Sequence, residues 1–356
     1  MQITDIDMVE KYQKFLKMDK KIIVLVMFGR TGSTFIHGLL DNRDTNLNYV
    51  TMILPPLINR FYKAENRVLT LDEIEYIVSP MWKFLGEYYD IEEFKSIFFT
   101  IAKTLELNGV MLFKLLYFTI GVMNKQDLEK IEYLINHQHM IDNNHSVEAF
   151  YREFKDVKYI FAMKDSRSQV KSIFRHLSEI DKSTDYYYDA LYNYTRALDF
   201  YNQNIKKSYT VINEKLNLSP ESEVKKLIEW LGLEFSSNYM DCTNQGEHWG
   251  AYKSNKVSLK GNEFSKLHIE SFNDIDRKTI KYIELVQGNL LLSFGYKLKF
   301  IKTKMDYLKH IHYFLSDILK NSESNSKKLK SSSFKNIYVR ALLFKQSIKF
   351  FKKLEW

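Results

Sequence analysis

Arg30, Thr31, Ser33 and Thr34 stand around Gly32 within five residues, and that combination suits the holding of an anion. Arginine brings a permanently charged, planar fork of donors, and the hydroxyls add short-range donors beside it. The glycine lets the backbone turn tightly, so that the unpaired N–H groups and positive dipole end of a following helix face the ligand. The plainer alternative is an ordinary turn whose Ser and Thr only cap a helix; the density of donors favours the anion. Nucleoside triphosphate chemistry of the G-x-x-x-x-G-K-[ST] kind is disfavoured, because Ser33 follows Gly32 where Lys is needed and Met27 stands where the first Gly belongs. No G-x-G-x-x-G dinucleotide loop accompanies it. A second donor-rich stretch, Lys164-Asp165-Ser166-Arg167-Ser168-Gln169-Val170-Lys171-Ser172, lies well downstream.

Each stretch follows an apolar run that would position it. Lys21-Ile-Ile-Val-Leu-Val26 is short and rich in β-branched residues, which reads as a buried parallel strand. Phe35, Ile36, Leu39 and Leu40 after the turn read as one face of a helix. Lys158-Tyr-Ile-Phe-Ala-Met163 reads as another buried strand, feeding the second stretch. The strands Ile22–Val26 and Tyr159–Met163 are therefore expected to be parallel members of one central sheet with helices on both faces, an α/β fold.

Arg30-Thr31-Gly32-Ser33-Thr34-Phe35 resembles the 5′-phosphosulfate loop of the sulfotransferases that use 3′-phosphoadenosine 5′-phosphosulfate (PAPS), in the form of their carbohydrate and tyrosylprotein branches. Lys164, Asp165, Arg167 and Ser172 resemble that family's R-D-P-R-x-x-x-x-S segment, whose leading Arg and final Ser hold the donor's 3′-phosphate. Lys164 departs from Arg, keeping the charge without the fork, and Ser166 departs from Pro. Weaker similarities follow in the family's order. They are Tyr209–Leu216 (Y-E-D-L, with Glu214 and Leu216 matching and Lys215 departing), a helix from Ser219-Pro220 ending in Ile228–Leu233, the loop Lys256–Gly261, and Phe294-Gly295-Tyr296. The resemblance implies the P-loop-like sulfotransferase fold over about residues 20–300. It also implies PAPS as donor without a metal, held by Arg30, Thr31, Gly32, Ser33, Thr34, Phe35, Lys164, Ser172, Lys256, Lys260 and Gly261.

Sulfuryl transfer to a hydroxyl also needs a base. Cytosolic members of the family have a His before the 3′-phosphate segment, and this chain offers His137, His139 and His145 in roughly that place. Ser146 reads as the N-cap of a helix over Val147–Phe154, which sets His145 at a strand-to-helix mouth. His139 is its competitor, and a Glu base, as in some carbohydrate branches, would make both histidines surface residues. Arg30 is expected to act on the leaving phosphate.

The remaining sequence frames this core. A formal charge of +8 suits a partner of anionic nucleotide, while no zinc spacing or nucleic-acid motif appears. Cys242 is the lone cysteine, which reads as a packing residue in a reducing compartment. The polar first residues and the lack of a membrane-length apolar run predict a cytoplasmic protein. About residues 51–135, apolar positions at helical spacing predict a helical insertion walling the acceptor cleft, its most apolar part at Val110–Met123. Domain boundaries are expected at 1–300 and 301–356. The second part carries basic amphipathic stretches at Tyr307–Leu319 and Ile337–Leu354 around a polar linker, Asn321–Ser333. Its last helix would lie on an anionic membrane surface, making the protein peripheral, or dock on its own domain or on a second copy. A carbohydrate or glycolipid hydroxyl is the expected acceptor, with a peptide tyrosine or lipid hydroxyl as alternatives. Two other readings are a kinase-like P-loop enzyme and a non-catalytic, membrane-associated binding protein of the same fold.

Overall fold

The computed structural model describes residues 5–27, 31–41, 46–48, 55–139, 149–179, 200–244, 247–248, 272–312 and 331–355. They divide between two compact units. One is drawn from Met1–Met27, Gly32–Ala162 and Asn204–Leu267, the other from Phe28–Thr31, Met163–Gln203 and His268–Trp356.

The first unit is organised by a sheet of strands β1 (Lys21–Met27), β2 (Asn46–Asn48), β3 (Tyr133–His139), β4 (Val157–Met163) and β5 (Ser208–Ile212), in the order β2-β3-β1-β4-β5. β1 is central and parallel to both β3 and β4, and β2 is parallel to β3. Its apolar run does not alternate because both faces are covered: Ile22, Ile23, Val24, Leu25 and Val26 are all buried. In-register partners share a face, so Ile23 and Leu25 lie beside Ile135 and Ile160. They share a core with α2 (Ser33–Leu39) and with Val224, Leu227, Ile228 and Leu231 of α9 (Pro220–Leu231). The fold is thus α/β with a central parallel sheet flanked by helices, as the two apolar runs required. α9 runs as expected from Pro220 in its first turn to a left-handed Gly232, where Leu233 N–H closes on the Ile228 carbonyl at 3.1 Å.

The predicted insertion is helical. α3 (Pro55–Lys63), α4 (Leu71–Leu85), α5 (Ile91–Thr104) and α6 (Gly109–Met123) succeed one another, and the last residues assigned to it, Tyr133–Ile135, open β3 instead. Side-chain caps set three of the breaks. Thr70 and Glu73 form a reciprocal capping box on α4, Asp90 accepts from Glu92 and Glu93 on α5, and Asn108 accepts from Met111 on α6. α6 is buried nearly all round, which explains a composition without an amphipathic stripe. Among the described residues no helix is long and apolar enough to cross a membrane.

In the second unit α7 (Ser166–Glu179), α10 (Arg277–Ser293) and α11 (Ser331–Phe351) share a core. Val170 packs there with Ile283, Leu285, Val286 and Leu291, and with Leu343, Phe350 and Leu354 from the tail. α8 (Asn213–Leu218) belongs to the first unit. The tail is tied down at several points. Thr303 pairs with Glu355 in a parallel bridge, and the Tyr307 and Ser347 hydroxyls lie 2.9 Å apart. At Gly288 any Cβ would sit 2.3 Å from the Phe350 ring, so the glycine makes the seat for that ring. α11 starts at Ser331, so Ser331–Ser333 form its first turn instead of ending the linker; residues 313–330 lie outside the described residues. Leu343 and Phe350 of α11, and Leu354 just after it, are buried in the core of their own unit.

Removing the Phe350 ring should therefore leave a cavity over Gly288. Phe350→Ala is expected to cost about 3–5 kcal/mol in urea unfolding. A loss below about 1 kcal/mol would show that α11 does not depend on this seat.

Candidate functional site

β1 and β4 are adjacent and parallel, so the chain leaves both at the same, carboxyl edge of the sheet. That is the edge where open α/β sheets bind ligands. After β1 the turn pivots on Gly32, whose φ of 83° and ψ of 12° are left-handed. Gly32 is the N-cap of α2, and no side chain caps it; Phe35 and Ile36 N–H both bond to the Gly32 carbonyl, at 3.0 and 3.3 Å. Ser33 and Thr34 thus sit inside the first turn and do not cap the helix, contrary to the plainer reading of this sequence. Ser33 is buried and Thr34 half-buried; the Phe35 ring lies in the core of the first unit.

Asn213, the first residue of α8, crowds this turn. A Cβ at position 32 would lie 2.3 Å from Asn213 Nδ2. The Asn213 carboxamide oxygen is engaged by Asn217 Nδ2 at 3.0 Å, so its NH2 end is the one presented to the glycine. Sequence reasoning passed over Asn213; a polar residue directly after the β5 run, at a sheet edge, was the available signal.

The segment after β4 is unusual in its burial. Lys164, Asp165, Ser166, Arg167, Ser168, Gln169 and Ser172 are all buried, although such residues are mostly exposed in folded proteins. Asp165 accepts from the Arg167 backbone N–H and Nε, both at 2.9 Å, and from Nη2 at 2.6 Å. Arg167 Nη1 donates to Glu284 Oε1 at 2.6 Å. Burial pulls the Arg167 guanidinium down in pKa, but the two carboxylates more than offset it and hold it charged. In the same unit the hydroxyls of Thr31 and Ser166 are buried without a hydrogen-bond partner among the described residues. Orphaned hydroxyls in a donor-rich turn fit a bound anion.

β3 turns polar toward its carboxyl end, with Asn136, His137 and Gln138 buried in succession. His139 closes the strand level with Met27. His137 pairs with Leu25 on the α2 face, where its ring lies 5.0 Å from that of His37. Burial lowers the pKa of His37 below its ordinary 6.5, with Asp41 pulling the other way. Asp41 itself accepts from the Thr243 hydroxyl at 2.9 Å, and Cys242 packs buried against α2, its Sγ 3.4 Å from the Phe35 carbonyl.

Of the residues singled out by sequence, Thr31, Gly32, Ser33, Thr34, Phe35, Lys164 and Ser172 are described, as is the backbone of His139. Arg30, His145, Lys256, Lys260 and Gly261 lie outside the described residues. The helix expected at Val147–Phe154 is described from Ala149 and ends at Tyr151, where successive carbonyls at 149–151 are taken by N–H groups three residues on, tightening the chain into turns.

Among the solved structures that resemble the chain are three sulfotransferases. A sulfotransferase domain from the curacin biosynthetic pathway is 15% identical, with a TM-score of 0.46 over 79% of this chain and 99% of that one. A sulfotransferase domain from the Synechococcus PCC 7002 olefin synthase is 13% identical, with a TM-score of 0.47 over 80% and 98%. The sulfotransferase STF9 from Mycobacterium avium is 11% identical, with a TM-score of 0.41 over 83% and 82%. No family model matches the chain, and no curated protein matches it.

Gly32→Ala places a side chain in a left-handed position against Asn213 and should destabilise by at least about 1–2 kcal/mol in chemical denaturation. Adding Asn213→Gly should recover only the collision, not the backbone strain. His37 should make stability fall on acidification. With its folded pKa depressed, the unfolded chain binds more protons below about pH 6.5, so stability is lost as pH drops from there toward the folded pKa. His37→Gln should flatten that limb of the stability–pH curve; an unchanged limb would assign it to other groups.

Proposed function

We propose that this chain is a sulfotransferase that moves a sulfuryl group from PAPS to a hydroxyl of a carbohydrate or glycolipid. The observation that carries the reading is the pair of parallel neighbours β1 and β4, each followed at the same sheet edge by a donor-rich turn of the expected sequence. The uncapped glycine turn and the buried polar run after β4 support it further. In this reading Arg30, the N–H groups following Gly32 and the hydroxyls of Thr31, Ser33 and Thr34 hold the 5′-phosphosulfate. Lys164 and Ser172 take the 3′-phosphate, and Lys256, Lys260 and Gly261 close over the nucleotide.

Transfer forms an acceptor oxygen–sulfur bond as the bond from sulfur to the 5′-phosphate oxygen breaks, and the electron pair stays on the leaving phosphate. The protein's work is alignment and stabilisation of that developing charge, a task suited to Arg30 and the loop donors without a metal. The acceptor's proton goes to a base. The end of β3, level with the residue that enters the loop, favours His139 for this role over His145. Helices α3–α6 supply the wall for the acceptor. The docking of α11 on its own unit favours self-docking over a membrane role for the tail.

Thermal shift tests the donor assignment. Adenosine 3′,5′-bisphosphate, the product nucleotide, should stabilise the protein without magnesium, by roughly 2.7 kcal/mol at 100 times its dissociation constant. Magnesium ATP should do little. Arg30→Ala should remove transfer, and Lys164→Ala should weaken nucleotide binding, each lost charge-assisted contact costing about 1.5–3 kcal/mol. Stabilisation by magnesium ATP with no response to the bisphosphate would select the kinase-like alternative.

A further inference from the structure

Resting on that reading, we infer that Glu284 is a positioning residue for the 3′-phosphate half of the site, acting through Arg167. Arg167 stands at one of the segment's motif positions, yet each of its three side-chain nitrogens already donates to a carboxylate. Its backbone N–H, Nε and Nη2 all go to Asp165, which closes the 165–167 turn on itself. Nη1 goes to Glu284, and the guanidinium plane lies 4.2 Å over the Phe272 ring. Arg167 therefore works as a strut, and the contact with a phosphate falls to its neighbours Lys164 and Ser172.

Glu284 gives the strut a fixed footing. Its carboxylate has no exposed surface. Besides Arg167 it accepts the backbone N–H groups of Lys299 at 2.7 Å, Phe300 at 2.7 Å and Ile301 at 3.0 Å. Three backbone donors leave the carboxylate little freedom, and the bidentate pair with Asp165 leaves Arg167 little. The turn into α7, with Lys164 just before the helix and Ser172 within it on either side of Arg167, is thereby locked to α10 and to the 299–301 segment. Packing alone would have served stability as well, since well-packed apolar side chains usually replace a buried ion pair without loss. What the ion trio adds is direction: Asp165, Arg167 and Glu284 admit one orientation of the turn.

The test compares affinities for adenosine 3′,5′-bisphosphate and adenosine 5′-phosphate by calorimetry on the full chain. Wild type should bind the bisphosphate at least about tenfold more tightly, since one charge-assisted contact is worth that much. In Glu284→Gln this preference should shrink to about twofold or less while affinity for the 5′-phosphate holds within about twofold. A general loss of stability would weaken both ligands alike and leave the ratio intact. Arg167→Lys, which keeps the charge but not the fork, should give an intermediate ratio. A third arm needs no variant: in hydrogen exchange on wild type, the bisphosphate and not the 5′-phosphate should protect the amides of Lys299, Phe300 and Ile301. An unchanged ratio in the variants, or protection at 164–172 that does not reach 299–301, overturns the inference. Wild type with no preference between the nucleotides overturns the sulfotransferase reading itself.

Discussion

A carboxylate with no exposed surface must be answered by donors, and Glu284 is answered by one guanidinium nitrogen and three backbone N–H groups. Much of the second unit follows from that need. Satisfying Glu284 brings residues 299–301 back against α10, and the chain that leaves them enters the tail. There the Thr303–Glu355 bridge and the Tyr307–Ser347 contact tie in the end of α11. The same carboxylate lets Arg167 be buried, and Arg167 in turn lets Asp165 be buried. None of the three charges is tolerable alone in a low-dielectric interior, where an uncompensated ion costs several kcal/mol.

The first unit solves a different problem, that of bringing polar backbone close to a ligand edge without leaving strands unsupported. β1 is apolar on both faces and flanked by parallel neighbours, so it has no freedom to slip. Gly32 beyond it is left-handed, and glycine alone among residue types suits both that dihedral and a position where a Cβ would lie 2.3 Å from Asn213 Nδ2. The polar end of β3 belongs to the same design. Asn136, His137 and Gln138 interrupt an otherwise apolar strand only in the half that approaches the carboxyl edge.

The sequence made legible what is local. Continuous apolar runs marked β1 and β4, helical spacing marked α4 and α5, a long apolar stretch marked α6, Ser219-Pro220 marked the start of α9, and the glycine turn marked the start of α2. The tail's amphipathic stretches were readable too, but not what they covered, because an apolar stripe reports that a partner exists and not which. Gly288 carries no signal until Phe350 is known to rest on it. Glu284 sits in an ordinary helical pattern, and Arg167 looks like a free phosphate ligand until its partner, 117 residues on, is in view. The His37–His137 contact was missed for the same reason. Each depends on residues distant in the chain meeting at one place, and residue type and spacing encode only neighbours.

The placement of β1 also governs the order in which this protein can assemble. Ile22 pairs with Leu134 on one side and Val157 on the other, so the strand at the centre of the sheet is made early and finds its partners late. Closing loops of that length before any pairing is rewarded slows folding. During synthesis an uninterrupted run of Ile, Val and Leu waits exposed until β3 and β4 emerge. The capped helices α4–α6, which form from local contacts, can fold in that interval while the first strand still lacks its partners. Production of the chain should accordingly be more sensitive to temperature and chaperone supply than its finished stability would indicate.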